Sequence, residues 1–261
     1  MFKAKLFSTV VALGFAASAQ TASEACHVTH AQLASALKTV QANTDKNGGF
    51  GFHMWATVVN RAGVVCAVAK SGDKVGDQWP GSRVISAQKA NTANAFSLPG
   101  FALSTANLYS ATQPGGSLFG LQESNPVNVA AAYAGNTADY GSPTDALVGN
   151  KIGGVNVFGG GLALYNKNGV LLGAIGVSGD SSCADHIIAW RTRFALGLDY
   201  VPAGPATKGD DNIVFDITNG DASPVTEVPA LGKRAGGWGH PLCAGAKAIA
   251  EAFNKAGSGN L

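Results

Sequence analysis

Between Gly159 and His186 the chain reads GGGLALYNKNGVLLGAIGVSGDSSCADH, two short apolar runs on either side of Asn168-Gly169. Asn-Gly between two such runs supplies the positive φ angles of a tight turn, so the runs pair as an antiparallel hairpin. A second hairpin is expected over residues 52–70, where FHMWATVV and VVCAVAK flank the turn NRAG. Antiparallel pairing cannot build a βαβ sheet, so the chain must be α+β, with helices packed on an antiparallel sheet. The helices are marked too. Thr29 with Gln32 three residues on is a capping box, and Leu33, Ala36, Leu37 and Val40 follow at helical spacing. SRVISAQKANTANAFS reads as a second helix behind Pro80 and Gly81. Ser182 with Asp185 caps a third, one face of which carries Ile187, Ile188, Arg191, Phe194, Ala195 and Leu198. A short final helix lies in AGAKAIAEAFNK.

Residues 98–158 break this pattern. Prolines at 99, 114, 126 and 143 and many glycines predict a long ordered insertion with little regular structure. After Pro202 the chain again reads as loop up to the final helix, a C-terminal extension over 199–261 packed on the same domain.

The N-terminus reads as an export signal rather than as fold. Lys3 and Lys5 precede an apolar run from Leu6 to Ala17, and Ala17-Ser18-Ala19 is a small-residue cleavage pattern. This assigns residues 1–19 to a signal peptide and the mature protein to the periplasm or the exterior. SEAC before Cys26 lacks the apolar residue of a lipoprotein signal, so no membrane anchor is expected. Loss of Lys3 and Lys5 takes the formal charge from +2 to 0, which excludes electrostatic binding to nucleic acid or to an anionic membrane.

Four cysteines in an oxidising compartment predict two disulfides. The first helix, taken as about 16 residues, spans about 24 Å. The strand after it spans about 26 Å over about 8 residues. Packed antiparallel, the helix starts near the hairpin turn, which pairs Cys26 with Cys66 and leaves Cys183 for Cys243. Cys26–Cys243 stays open if the termini meet.

Two familiar sites are rejected. Gly173, Gly176 and Gly179 are spaced G-x-x-G-x-x-G, which is not the dinucleotide fingerprint. Gly176-Val177-Ser178-Gly179 is not a nucleophile elbow, and Asp185 and His186, adjacent on a helix, point about 100° apart. His27 and His30 lack a third metal ligand of matching spacing, and His240 before Pro241 is read as a loop residue.

Three stretches together resemble the GlcG/HbpS family, also called haem-degrading or PduO C-terminal domain-like: WATVVNRAGVVCAVAKSGD, SAQKANTANAFS and GGGLALYNKNGVLLGAIGVSGDSSCADHIIAW. Lys89-Ala90-Asn91-Thr92-Ala93 and the run Gly173 to Gly179 fit its patterns closely. The likeness covers roughly residues 30–97 and 158–198, inside a domain over 26–198. It implies a profilin-like or PAS-like fold, homo-oligomers, and a haem or tetrapyrrole ligand used in haem or iron handling or sensing. Asn60 replaces the family's usual Asp, Lys70-Ser71-Gly72-Asp73 replaces an R-M-D-G run, and Leu162-Ala163-Leu164 lacks its proline.

These readings place a ligand pocket at Lys89, Gly176, Ser178, Gly179, Asp185 and His186. Backbone N–H groups beside a helix N-terminus favour an anion, such as a haem propionate or a small carboxylate. Equally, the glycines permit close strand–helix packing. His186 is placed first as the haem-iron ligand, ahead of His53, His27 and His30. Two other functions remain open. One is an enzyme on a small organic acid with Lys89, Asp185 and His186 as acid–base groups. The other is an accessory or sensor module that binds a partner protein through 98–158.

Overall fold

The structure, a computed structural model, describes residues 25–215 and 237–254. The signal-peptide assignment of 1–19 lies outside them. Four strands form one antiparallel sheet: β1 (Trp55–Asn60), β2 (Val65–Lys70), β3 (Gly161–Tyr165) and β4 (Leu171–Ser178), in the order β2-β1-β4-β3. The two hairpins therefore meet through their inner strands, with Val58 opposite Ile175. Helix α1 (His30–Gln41) and helix α3 (Ser182–Ala195) cover one face; helix α2 (Ser82–Ala95) covers the other. A short α4 (Lys247–Ala252) closes the described chain. The α+β expectation stands, as a four-stranded antiparallel sheet packed against helices.

The side-chain period of two sorts β1 between two cores. Ala56 and Val58 face α1 and α3 with Leu33, Leu37, Ile175, Ile187 and Trp190. Trp55 and Val59 face α2 with Val84, Ala87, Ala90 and Ala93. Helix α1 starts at the predicted capping box, Thr29 with Gln32, and ends at Gln41, shorter than the 16 residues expected. Its start sits by the first hairpin turn, and the disulfides are Cys26–Cys66 and Cys183–Cys243, with Cα atoms 5.4 and 5.9 Å apart.

The turn chemistry differs from the sequence reading. In the turn of the second hairpin, residues 167–169, only Gly169 has positive φ (+72°); Asn168 does not. The loop is three residues long, closed by the Asn166 N–H on the Val170 carbonyl, with the Gly169 N–H on the Asn166 carbonyl. That is a type I turn followed by a left-handed glycine. Asn166 Oδ1 accepts from Asn168 N–H and Val170 N–H, both at 3.0 Å. The first hairpin repeats this with Asn60 Oδ1, Ala62 N–H and Val64 N–H, and Gly63 at φ +77°. Asn60 thus keeps the acceptor that an Asp would offer there.

The insertion holds one-turn α-helices at Tyr109–Thr112 and Val129–Ala132, 3-10 helices at Thr105–Leu108 and Thr137–Asp139, and is otherwise irregular. It and the C-terminal segment lie along the two outer strands. Val65 exchanges backbone hydrogen bonds with Gly149 and Asn150, and Tyr165 with Leu198 and Tyr200. Both open edges of the sheet are partly paired in this way, which blocks edge-to-edge association. The insertion is locked by Arg83, buried on α2, whose guanidinium forks onto Asp145 at 2.9 and 2.5 Å.

Small residues let α2 lie almost on the strands. A Cβ built on Gly176 falls inside contact distance of the Ser86 carbonyl oxygen and 2.5 Å from the Ala90 nitrogen. Both are helix backbone, so neither can rotate aside. Gly176→Ala is expected to cost about 3 kcal/mol, the upper end for overpacking a core. Urea denaturation followed by tryptophan fluorescence measures it; a loss under about 1 kcal/mol would mean α2 lifts off the sheet freely.

Candidate functional site

The end of β4 and the start of α3 hold most of the residues singled out from the sequence. The helix is capped by Ser181, one residue before the Ser182 expected, and its side chain accepts from the Ala184 N–H at 3.3 Å. Beside this N-terminus the chain's own carboxylates accept two backbone N–H groups. Asp180 accepts the Ser181 N–H at 2.6 Å, and Asp185 accepts the Asp180 N–H at 2.8 Å. The Val177 N–H is spent on the Gly160 carbonyl, and Gly176 is pressed against α2. Ser178 donates to Ser82 at 3.2 Å, between sheet and helix. Close strand–helix packing, the second of the two readings of these glycines, describes Gly176.

Lys89 reaches this junction from α2. Its Nζ lies 2.7 Å from Asp185 Oδ2 and 3.2 Å from the Val177 carbonyl, and both side chains of the pair are buried. Burial pushes the Asp185 carboxyl up to about 6, against the pull of Lys89. His186 points elsewhere. Its Nε2 is 3.1 Å from Asn212 Oδ1 and 3.1 Å from the Ile213 nitrogen, and it has no exposed surface. Burial lowers its pKa to about 3, so the ring is neutral. Lys89 and Asp185 are brought together, while His186 belongs to a separate contact with the C-terminal segment.

His240 is the residue that sequence reasoning missed. It is buried, donates from Nδ1 to the Pro241 carbonyl at 2.7 Å, and so presents Nε2 as an acceptor to the Ser182 hydroxyl at 2.7 Å. Ser182 Oγ in turn accepts the Gly159 N–H at 2.7 Å. Burial holds His240 down to about 4, which makes it a weak base for that hydroxyl. The Cys183–Cys243 pairing was the available signal, because it brings residue 240 beside residue 182.

The other histidines are nearer the surface. His27 is exposed, and His30 donates from Nε2 to the Gly141 carbonyl at 2.9 Å. His53, half-buried just before β1, places Nδ1 3.0 Å from Ser71 Oγ. Phe50, Phe52 and Trp79 are 70%, 42% and 53% exposed. Their rings touch in series, with centroids 5.4 Å apart at each step. The Lys70–Asp73 departure from the family pattern falls here, through Ser71.

Among curated proteins none matches the chain. Solved structures do. A PduOC–haem complex is 23% identical, covering 63% of this chain and 89% of that one, at a TM-score of 0.43. The Klebsiella pneumoniae protein ORFY is 23% identical over 75% and 96%, at 0.41. A double mutant of Streptomyces reticuli HbpS is 18% identical over 74% and 99%, at 0.42. The family described as haem degrading protein HbpS-like matches residues 28–192, and the chain belongs to that family.

Proposed function

We propose that this protein is an exported haem- or tetrapyrrole-binding protein that serves haem or iron handling or sensing, as a homo-oligomer on a profilin-like or PAS-like scaffold. Membership of the HbpS-like haem-degrading family over residues 28–192 carries the reading. The two disulfides and the signal-like residues 1–19 support export. Exposed Phe119, Val129, Tyr133 and Phe158 on the insertion support assembly.

A haem iron needs a ligand atom that can be reached. His186 and His240 are buried with Nε2 engaged, so iron at either requires the C-terminal segment to lift. His53 is only half-buried and His27 is exposed, so these rings are reachable as the structure stands. The organic-acid enzyme is the weaker reading, because Lys89 and Asp185 are sealed in an ion pair that His186 does not join.

Titration with hemin tests this. A Soret band that shifts and sharpens and saturates at a 1:1 ratio is the expected result; an unchanged spectrum would sink the proposal. Light scattering on the same sample should show an oligomer, and monomer alone at micromolar protein would remove the assembly part.

A further inference from the structure

Ser182 and His240 lie 58 residues apart in sequence, and several restraints hold them together. The Cys183–Cys243 disulfide ties the segment of His240 to the residue after Ser182. The Gly239 carbonyl accepts the Ser110 N–H at 3.2 Å and the Ser110 hydroxyl at 2.5 Å, and the His240 N–H donates to the Val214 carbonyl at 2.8 Å. The Tyr109 ring packs beside the imidazole, with centroids 5.1 Å apart. His240 lies beyond residues 28–192, so this pair belongs to the chain's own C-terminal extension rather than to the family domain.

The imidazole is fixed in the tautomer that a base needs. The Pro241 carbonyl can only accept, so Nδ1 carries the proton and Nε2 meets the Ser182 hydroxyl with its lone pair. A hydroxyl within reach of an imidazole whose other nitrogen is oriented by a third group is the arrangement of an activated nucleophile. Burial, with a further push from Lys89, keeps His240 neutral above about 4 and able to take a proton. Ser182 itself is only half-buried. It opens α3, where the first N–H groups have no intrahelical partner. The Ser182 and Cys183 N–H groups meet no acceptor among the described residues. Two such donors beside a nucleophile are the parts of an oxyanion site. The Gly159 N–H adds a donor onto Oγ. Glycine is required there, because a Cβ would press into the Ser182 carbonyl oxygen.

We propose that Ser182 and His240 form a second site, catalytic and separate from haem binding, that cleaves esters by acyl transfer. Ser182 Oγ attacks the ester carbonyl carbon while its proton passes to His240 Nε2. The carbonyl electron pair moves onto oxygen, where the Ser182 and Cys183 N–H groups stabilise it. The bond to the leaving alcohol then breaks, the alcohol takes the proton from His240, and an acyl-serine remains. Water, giving a proton to the same Nε2, releases the acid and restores the hydroxyl. A weak base suits esters of acidic alcohols, such as aryl esters. Phe158, next to Gly159, and Leu242, two residues after His240, are 46% and 45% exposed, which favours an apolar acyl group.

A fluorophosphonate probe with peptide mass spectrometry tests the nucleophile, and p-nitrophenyl butyrate tests turnover, both on the full chain. A single label on Ser182 is expected. Ser182→Ala should lose the label and fall to the buffer rate. His240→Gln should slow both labelling and turnover by about 10²- to 10⁴-fold, the contribution of a positioned base. Circular dichroism should show the native fold in both variants. A pair that only braces the C-terminal segment would lose stability in these variants and never take the label. An unlabelled wild type, or a label on another residue, overturns the proposal even if a variant fails to fold. Wild-type turnover no faster than buffer, or a folded Ser182→Ala that keeps the wild-type rate, overturns it as well.

Discussion

Arg193→Ala is expected to cost about 3–5 kcal/mol, the usual result of removing one partner from a buried ionic cluster. The guanidinium is fully buried in α3. Its Nε lies 2.5 Å from Asp199 Oδ1, and its two terminal nitrogens lie 2.7 and 2.9 Å from the oxygens of Asp211. One terminal nitrogen also donates to the Ala163 carbonyl on β3 at 3.1 Å. Truncation strands two carboxylates in the interior. Asp199 and Asp211 belong to the segment that lines β3 and supplies Asn212 and Ile213 to His186. The damage should therefore be local first. Hydrogen exchange should quicken over 198–213 before it quickens in β1. Arg193→Lys should recover part of the loss, since it restores a charge without the fork that meets two carboxylates. Urea denaturation gives the magnitude, and a cost below about 1 kcal/mol would show that both carboxylates reach water in the variant.

What could be read beforehand was what local spacing encodes. Two hairpins, the capping box at Thr29 and Gln32, and the small-residue face of α2 all write their geometry into neighbouring positions. The disulfides followed because a helix packed antiparallel to the next strand starts beside the hairpin turn, although the helix is shorter than expected. The misplaced cap at Ser182 is a one-residue choice between equivalent serines, which only the path of the preceding strand decides. Asn168 was given a positive φ because Asn-Gly has more than one turn to enter, and Asn166 selects the three-residue loop. Phe194, assigned to the packed face of α3, is 40% exposed. The rest depended on pairs far apart in sequence: Arg83 with Asp145, Arg193 with Asp211, Ser182 with His240. No periodicity announces such pairs. The exposed ring cluster was equally hidden, because Phe50, Phe52 and Trp79 have the composition of core residues. Only their exposure sets them apart.

Acid should unfold this protein early, with a loss of about 4 kcal/mol between pH 6.5 and pH 4. Three buried groups shape stability in that window and they oppose one another. His186 and His240 are lowered by burial to about 3 and about 4. Their folded pKa values lie below the unfolded one, so their contribution is complete above about 6.5 and drains away as pH falls. Through the window the unfolded chain binds two protons that the folded chain refuses, at about 1.4 kcal/mol per pH unit each. Asp185 runs the other way. Burial raises it to about 6, despite Lys89, so the folded chain takes its proton before the unfolded chain does. Its contribution is greatest below about 4 and is lost as pH rises through about 6. Between pH 6 and pH 4 it offsets one of the two histidine protons, and a net uptake of about one proton on unfolding remains. Urea midpoints at pH 7, 6, 5 and 4 should therefore fall steadily. His240→Gln removes one proton from the balance and should leave stability nearly level between pH 6 and pH 4. If stability in the unsubstituted protein instead holds or rises from pH 6.5 to pH 5, the Lys89–Asp185 pair, not the two histidines, governs the acid response.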